Sequence, residues 1–215
     1  MRKLIGFLSF SAVMLGGSAA FAQTQPFGTS GTMAFGAERL FAFYRQTIDY
    51  EAPNGDEDEV DHSGLGFGWG AVSYPFNVPR LGFDYFVIDS LSIGGALGYA
   101  DFDDDDNGQG GDAFILAPRV GYFIGFTEVF GFWPRGGFTY HSADPDGDRN
   151  DHSGFALTLE AMFTISPAEH FAFLLGPTFD IDFMGERECG GPNNEEDCKW
   201  RYRSFGLQVG LMGYF

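Results

Sequence analysis

The sequence is poor in positive charge, and this scarcity excludes several classes of protein. Lysine occurs only as Lys3 and Lys199, and the 215 residues carry 12 lysines and arginines against 30 aspartates and glutamates. The formal net charge of -18 argues against nucleic acid as a partner, because binding to a phosphate backbone depends on basic side chains. A water-soluble β-barrel is also disfavoured, since its outer face would have to be charged.

Long apolar runs are absent except at the amino end. The basic start Met1-Arg2-Lys3 precedes an uncharged apolar segment from Leu4 to Gly17, and Ala20-Phe21-Ala22 has the form of a signal-peptidase site. The run is too short to cross a membrane as a helix. We therefore predict a secretory signal peptide over residues 1–22 and a mature domain over 23–215. Cleavage would remove two bases and no acids, which changes the net charge from -18 to -20.

The helical period is missing as well, and an alternation of large apolar with small or polar residues takes its place. Near the carboxyl end, Phe205, Leu207, Val209, Leu211 and Phe215 share one face of an extended strand. Similar segments recur through the chain, and the face opposite the aromatics is mainly Gly, Ala, Ser and Thr. Such a face suits the crowded interior of a small barrel. About ten alternating residues are what a tilted strand needs to cross a bilayer.

The connections come in two kinds, which set the number of strands. Tight turns are predicted near 88–90, 125–127 and 166–168, and long acidic connections at 53–61, 103–112, 144–151 and 186–199. In outer-membrane barrels short turns face the periplasm and long loops face outside. Alternating the two predicts an all-β, transmembrane, antiparallel up-and-down barrel of eight strands, with ten as the alternative. The strands are expected near 32–51, 63–88, 91–102, 112–124, 128–142, 153–165, 169–184 and 200–215.

The first two strands are the least regular. Pro75 and Pro79 interrupt the second, which we interpret as one long strand broken by a proline bulge, because proline lacks the N–H that a sheet ladder requires. In the first strand the adjacent charges Glu38 and Arg39 cannot both face inward without a bulge.

With its signal peptide, alternating strands, loop asymmetry and terminal Phe215, the mature chain resembles the small eight-stranded outer-membrane barrels, the OmpA-like and OmpX-like group. The segments Pro79 to Val87 and Leu91 to Gly95 are similar to the strand-turn-strand unit of their barrel domain. The resemblance implies an outer-membrane location in a Gram-negative envelope, a plugged or nearly plugged lumen, and roles in envelope integrity, adhesion or surface interaction. It also implies that Phe215 is the assembly signal. We expect the peptidoglycan-binding domain of the longer members to be missing, because the sequence stops at Phe215.

Six charged residues share the inward parity of the predicted strands. They are Asp84, Arg119, Arg135, Glu160, Asp180 and Asp182. Charges at bilayer depth must face the interior and pair, because an unpaired charge there is costly. We interpret the six as a structural salt-bridge plug, since eight strands leave room only for side chains. The alternative is that the same network is the gate of a narrow channel.

The tetrapeptide Asp-His-Ser-Gly occurs twice, at 61–64 and 151–154, and it invites comparison with a catalytic triad. Strand geometry argues against this reading, because neighbours point to opposite faces and His62 therefore cannot act as a general base for Ser63. The two repeats also fall on the second and sixth strands. We expect no catalytic site and no cofactor.

Carboxylates are concentrated in the predicted outer loops. Asp144, Asp146, Asp148 and Asp151 surround Gly147 and are weak candidates for calcium ligands, although their spacing is not that of an EF-hand. A solvated acidic loop is the alternative. As a group, the loops are expected to attract divalent cations or a cationic surface partner.

The last outer loop contains both cysteines of the chain, Cys189 and Cys198. In an oxidising compartment we predict a disulfide between them, which would stabilise the fold by about 2–3 kcal/mol. Two thiols are too few for a structural zinc site. Arg201 and Arg203 follow on the same face as Phe205 and are predicted to contact lipid phosphates at the outer rim.

These observations favour a non-enzymatic, monomeric outer-membrane barrel that anchors acidic, disulfide-stapled outer loops. A narrow channel lined by Arg119, Arg135 and Glu160 is the second interpretation, and an enzyme acting on envelope lipid is the third.

Overall fold

The computed structural model describes residues 26–51, 57–68, 75–104, 109–145, 152–188 and 197–215. Their strands are β1 (Met33–Glu51), β2 (Glu57–Phe67), β3 (Arg80–Ile88), β4 (Leu91–Asp104), β5 (Gln109–Tyr122), β6 (Ile124–Gly125), β7 (Phe130–Pro145), β8 (His152–Ala168), β9 (Phe171–Glu188) and β10 (Asp197–Tyr214). Within these described ranges no helix is long and apolar enough to cross a membrane.

The strands close into one antiparallel barrel. Neighbours follow the order β10, β9, β8, β7, β5, β4, β3, β1, and β1 pairs with β10 to complete the ring. β2 and β3 both pair with the same edge of β1, β2 with its outer half and β3 with its periplasmic half. β6 follows β5 in the chain and, like β5, pairs with β7. The described strands therefore occupy eight positions around the barrel, which confirms the predicted fold. The end with the short turns is called the periplasmic end below, and the opposite end the outer end.

The second strand position is interrupted more strongly than predicted. β2 ends at Phe67 and β3 begins at Arg80, yet their partners on β1, Phe41 and Glu38, are only three residues apart. Residues 75–79, called the inward segment below, precede β3 and are buried inside the barrel. The prediction of a proline bulge is thus wrong, because the interruption is larger than a bulge. Pro75 and Pro79 flank an excursion into the lumen, because neither can donate to a ladder.

The irregularity in β1 has the predicted form. Its pairing with β10 shifts between Ala37 and Phe41, and within that stretch Glu38 and Arg39 are both buried. Arg39 adopts a φ of 55°, in the left-handed region that non-glycine residues rarely enter. The bulge therefore directs two consecutive charges into the lumen.

One predicted turn is displaced along the chain. β8 continues through Pro167 to Ala168, and the turn follows at residues 169–170, where His170 has a φ of 63°. A register irregularity between Ile165 and Ala168 accommodates Pro167 within the strand. The expected turn at 166–168 is therefore wrong by a few residues.

The outward faces form an apolar belt around the barrel. Examples from successive strands are Phe43, Leu81, Leu97, Val120, Phe138, Leu159, Phe173 and Leu207, each more than a third exposed. A closed barrel with such a continuous apolar exterior is stable only against lipid, and barrels of this kind span outer membranes. The structure therefore places the chain in an outer membrane, as predicted.

Several predicted features lie outside the described residues. They are the signal peptide, the calcium candidates Asp146, Asp148 and Asp151, and Cys189. The structure shows the backbone of Asp144 in β7 and of Cys198 in β10. The disulfide and the calcium site both stay predictions.

Candidate functional site in the barrel lumen

The described part of the lumen contains three layers of side chains. An apolar layer lies at the periplasmic end, a charged layer lies in the middle, and a smaller aromatic layer surrounds the inward segment towards the outer end. Strand alternation positions all three layers, because every second side chain points inward.

The charged layer combines four arginines with four carboxylates. Its members are Arg39, Arg80, Arg119, Arg135, Glu38, Asp84, Glu160 and Asp180, and each is at most 8% exposed. The formal charges of the layer sum to zero. Five of the eight were singled out in the sequence, whereas Glu38, Arg39 and Arg80 were not assigned to the lumen.

Arg119 of β5 lies at the centre of the charged layer. Its Nη1 and Nη2 atoms lie 2.6 and 2.7 Å from the two carboxylate oxygens of Glu38, and Nη2 also donates to Asp84 at 2.5 Å. Arg135 Nη1 donates to Glu38 at 2.7 Å, and its Nη2 lies 2.8 Å from Glu160. Two arginines thus share three carboxylates and link five strand positions from the inside.

Arg39 connects the charged layer to the inward segment. It contacts both carboxylate oxygens of Asp180, at 2.9 and 3.1 Å, and its Nη1 also donates to the backbone carbonyl of Phe76. Thr158 donates to Asp180 at 2.7 Å and fixes that carboxylate. Arg80 Nη2 donates to the same Phe76 carbonyl at 3.2 Å. One carbonyl of the inward segment is therefore held by two guanidinium groups.

A small cavity lies beside the charged layer in the described part of the barrel. This cavity of about 10 Å³ is lined in part by Arg80, Arg119, Arg135, Thr158 and Glu160. This volume corresponds to room for about one water molecule. A hydrated ion cannot pass such a space unless the side chains move.

The aromatic layer contains a buried histidine–aspartate pair. His141 Nε2 lies 3.3 Å from Asp182 Oδ2, and both side chains are fully buried. The ring of Phe76 lies 5.5 Å from the His141 ring and 6.5 Å from the Tyr202 ring, measured between centroids. Asp182 shares the lumen parity expected from the sequence, but it contacts a histidine, which the sequence analysis did not include. His141 continues the inward parity of Arg135, so a signal for it was present.

The apolar layer closes the periplasmic end around Phe27, which precedes β1. Its ring lies between 4.8 and 5.2 Å, centroid to centroid, from the rings of Phe86, Phe123, Trp133 and Tyr214. Phe27 is only 8% exposed. No periodicity marks a residue ahead of the first strand, so this contact could not be predicted from the alternation pattern.

The barrel wall has a seam beside the inward segment. Among the described strands β2 pairs only with β1, and β4 pairs with β3 only as far as Gly98. Beyond Gly98, β4 continues to Asp104 with β5 on its other side. Among the described strands, the outer half of β4 and β2 therefore do not pair with each other. Val78 of the inward segment packs inside the barrel against Ala100 of β4 and Ile115 of β5.

Exposed ion pairs lie on the outer surface of the barrel above the apolar belt. Arg45 lies 2.8 Å from Asp61, and Arg203 lies 2.8 Å from Asp49 and 3.2 Å from Glu59. These side chains are at least a third exposed, so each pair contributes at most about 1 kcal/mol to stability. Arg203, expected to bind lipid phosphate, thus already has two carboxylate neighbours.

The first Asp-His-Ser-Gly repeat does not assemble a triad. In the pairing of β1 with β2, His62 lies opposite Gln46 and Ser63 lies opposite Arg45, so the two side chains point to opposite faces. Asp61 is engaged by Arg45 on the outside. The second repeat begins outside the described residues and continues on β8. Within the part of the chain that the structure describes, no group of three or more His, Cys, Asp or Glu side chains is arranged to hold a metal ion.

Comparison with known proteins supports the fold. No protein-family model matches the chain, and no curated protein matches it significantly. The crystal structure of the outer membrane protein OprG from Pseudomonas aeruginosa is similar with a TM-score of 0.56 and 13% identity, covering 87% of this chain and 97% of that one. The solid-state NMR structure of the outer membrane protein AlkL is similar with a TM-score of 0.54 and 12% identity, covering 87% and 91%. At this identity the likeness is one of fold, and the chain has the architecture of the small eight-stranded outer-membrane barrels.

Proposed function

We propose that this chain is a non-enzymatic outer-membrane barrel whose closed lumen makes it a rigid anchor and whose acidic outer end is the interaction surface. The observation that carries the proposal is the neutral charged layer, beside which lies a cavity of only about 10 Å³ next to Arg80. Because side chains fill the lumen at the charged layer, we assign the binding of partners to the outer surface.

The contacts of the charged layer favour a closed barrel over the narrow channel. The side chains that would line a channel, Arg119, Arg135 and Glu160, are engaged with each other and with Glu38. Opening a path would leave buried charges without partners, which costs on the order of 3–5 kcal/mol for each pair that is broken.

The outer end of the β1–β2 hairpin is strongly acidic. Asp58, Glu59 and Asp61 are exposed there, and Glu59 lies directly opposite Asp49 in the pairing. Like charges at opposed positions repel each other, and Arg203 only partly offsets them. We propose that this end attracts divalent cations or a cationic surface partner.

The lipid contact of Arg201 and Arg203 belongs to the same proposal. Both side chains are exposed on the face that carries Phe205 in the apolar belt. Because Asp49 and Glu59 already neutralise Arg203, we assign the larger part of the contact with lipid phosphate to Arg201. The replacement Arg201→Gln should then weaken binding to anionic-lipid vesicles more than Arg203→Gln does.

The closed lumen is tested by conductance in a planar bilayer. The refolded barrel should be silent, and so should the Arg45→Ala variant, whose arginine lies outside the barrel. A steady conductance from folded protein that changes in Arg135→Ala would overturn the closed barrel and favour the narrow channel.

The acidic surface is tested by binding of a lysine decapeptide to the barrel in lipid nanodiscs. The double variant Asp58→Asn/Glu59→Gln should bind more weakly. The control Glu128→Gln/Glu169→Gln removes two exposed carboxylates near the periplasmic turns and should bind like the wild type. Equal losses in both variants would mean that only the net charge matters.

The seam supports a second candidate, a lateral passage for small apolar molecules from the outer mouth into the outer leaflet. Among the described strands, β2 and the outer half of β4 do not pair with each other, and an unpaired strand edge is costly wherever it meets lipid. In vesicles with a lipopolysaccharide outer leaflet, an apolar fluorescent probe should enter the membrane faster when the protein is present. A variant cross-linked between Val78→Cys and Ile115→Cys should lose this acceleration, and equal rates with and without protein would contradict the passage.

A further inference from the structure

We propose that a groove at the periplasmic end of the barrel binds the primary ammonium headgroup of a phospholipid from the inner leaflet. This inference goes beyond the proposed function, which concerns the lumen and the outer end. It assigns a ligand class to a site that the sequence analysis did not consider.

The groove lies between two periplasmic connections of the chain. Glu128 and Val129 line it just ahead of β7, Ser166 lines it near the end of β8, and Glu169 and His170 line it in the turn before β9. The Ser166 amide donates to the Val129 carbonyl at 2.8 Å and joins the two connections. The groove has a volume of about 480 Å³, which lies in the range of sites for small ligands. It therefore has room for a lipid headgroup.

The charge of the groove selects the sign of its ligand. Glu128 and Glu169 are both exposed there, and in the described part of the chain no lysine or arginine lines the groove. A concave surface lined by one sign of charge concentrates ligands of the opposite sign. The groove should therefore attract a cationic headgroup and disfavour a lipid whose only charge is a phosphate.

His170 adds a third hydrogen-bond acceptor to the groove. Its Nδ1 atom lies 2.8 Å from the backbone carbonyl oxygen of Tyr214, and a carbonyl oxygen can only accept. Nδ1 therefore carries the proton of the neutral ring, and Nε2 is an acceptor. The Tyr214 amide donates in turn to the His170 carbonyl at 3.0 Å, which fixes the turn. Two carboxylates and one imidazole acceptor match a group that has several N–H donors.

A primary ammonium fits this set of acceptors better than a metal ion does. Within the described residues, no three His, Cys, Asp or Glu side chains are arranged to hold a metal ion, and this includes the side chains of the groove. A primary ammonium offers three N–H donors, whereas a trimethylated ammonium offers none. We therefore expect the groove to distinguish the two headgroups.

The groove is continuous with the apolar belt, which indicates that the ligand is a lipid rather than a free amine. Phe130 follows Val129 in the chain, and Ile165 precedes Ser166. Phe130 and Ile165 are paired directly across β7 and β8, and both side chains are exposed on the outer face. A phospholipid could thus place its headgroup in the groove and its acyl chains along these two residues.

The lipid preference can be measured by native mass spectrometry. The barrel is reconstituted in nanodiscs that contain equal parts of phosphatidylethanolamine, phosphatidylcholine and phosphatidylglycerol with identical acyl chains. The lipids that stay bound when the barrel is released are then counted. We expect phosphatidylethanolamine to be retained at least about fivefold more often than either of the others, because it alone combines an ammonium charge with N–H donors.

The site is located by removing one carboxylate at a time. Glu128→Gln and Glu169→Gln should each lower the retention of phosphatidylethanolamine about threefold, and the double variant about tenfold, since exposed ion pairs are individually weak. Asp89→Asn is the matched control. Asp89 is an exposed carboxylate at the same end of the barrel but outside the groove, and its Oδ1 accepts from the Ser30 amide at 2.8 Å, as an asparagine oxygen also can. This variant should retain the lipids like the wild type.

The outcomes separate the groove from its alternatives, once a gel-mobility assay has shown that each variant is folded. Equal retention of phosphatidylethanolamine and phosphatidylcholine would overturn recognition of the N–H donors. A preference that survives in the double variant would overturn the groove as the site. An equal loss in Asp89→Asn would mean that only the net charge of the periplasmic end matters, and would likewise overturn the proposal.

Discussion

Arg119 and Glu38 form a two-point ion pair across the middle of the barrel, with Nη1 2.6 Å from Oε2 and Nη2 2.7 Å from Oε1. Their strands, β5 and β1, are not neighbours in the sheet. The pair therefore ties together two separate parts of the wall, which no backbone hydrogen bond does.

Replacing Arg119 by Met should lower the free energy of unfolding by about 3–5 kcal/mol, because Glu38 and Asp84 would remain buried without this partner. Adding Glu38→Gln to this variant should restore part of the lost stability, since it removes one of the buried charges left without a partner. Urea unfolding in lipid vesicles measures both effects. The exposed pair of Arg45 and Asp61 supplies the control, and Arg45→Met should cost less than about 1 kcal/mol. Similar losses at the two arginines would contradict a special role for the lumen.

Gly82 makes room for the charged layer. A Cβ atom at this position would lie 2.7 Å from Glu38 Oε1 and 2.9 Å from Arg119 Nη2. The variant Gly82→Ala should therefore lose about 1–3 kcal/mol through overpacking. At Gly125 the nearest atom to an added Cβ is 3.4 Å away, so Gly125→Ala should be close to neutral. Thermal unfolding of the two variants side by side makes the comparison.

Phe27 seals the periplasmic end, and its removal should be costly. The variant Phe27→Ala leaves a cavity among Phe86, Phe123, Trp133 and Tyr214 and should lose about 3–5 kcal/mol. Phe43→Ala, on the lipid-facing surface, creates no such cavity and should lose less. A loss at position 27 no greater than at position 43 would show that the seal does not stabilise the barrel.

Phe215 should matter for assembly more than for stability. Its backbone pairs with Met33 where the barrel closes, but its side chain is 52% exposed. We expect Phe215→Ala to reduce the amount of folded barrel in the outer membrane of cells while changing urea unfolding of the purified protein by less than about 1 kcal/mol. Leu211→Ala, at the same strand face, is the control, and equal yields of the two variants would argue against an assembly signal at Phe215.

The strand faces could be predicted from the sequence because alternation records them directly. Large apolar residues opposite Gly, Ala, Ser and Thr located the lipid and lumen sides, and Arg119, Arg135 and Glu160 followed from parity alone. Arg80 has the parity of Asp84, and His141 has that of Arg135, so both were within reach of the same reasoning.

The excursion at residues 75–79 could not be predicted from that pattern. Pro75 and Pro79 indicate a break, but nothing in their spacing distinguishes a bulge in the wall from a segment that enters the lumen. Two of the bonds that decide it come from Arg39, which a bulge directs inward, and from Gln208, which is distant in the sequence. These side chains come together only in the folded structure, and sequence periodicity carries no information about their contacts.

The closure of the barrel by β1 and β10 has a consequence for how the protein is made. Ala34 pairs with Tyr214, so the final contacts join the first and last strands of the described barrel. Contacts of such sequence separation are slow to form, because the entropy of closing the whole chain is lost before they contribute. Until they form, two open strand edges and eight buried charges would face lipid. Insertion into the membrane and closure of the ring should therefore occur as one concerted step, and a chain that loses its last strand should be cleared by proteolysis rather than persist as a smaller barrel.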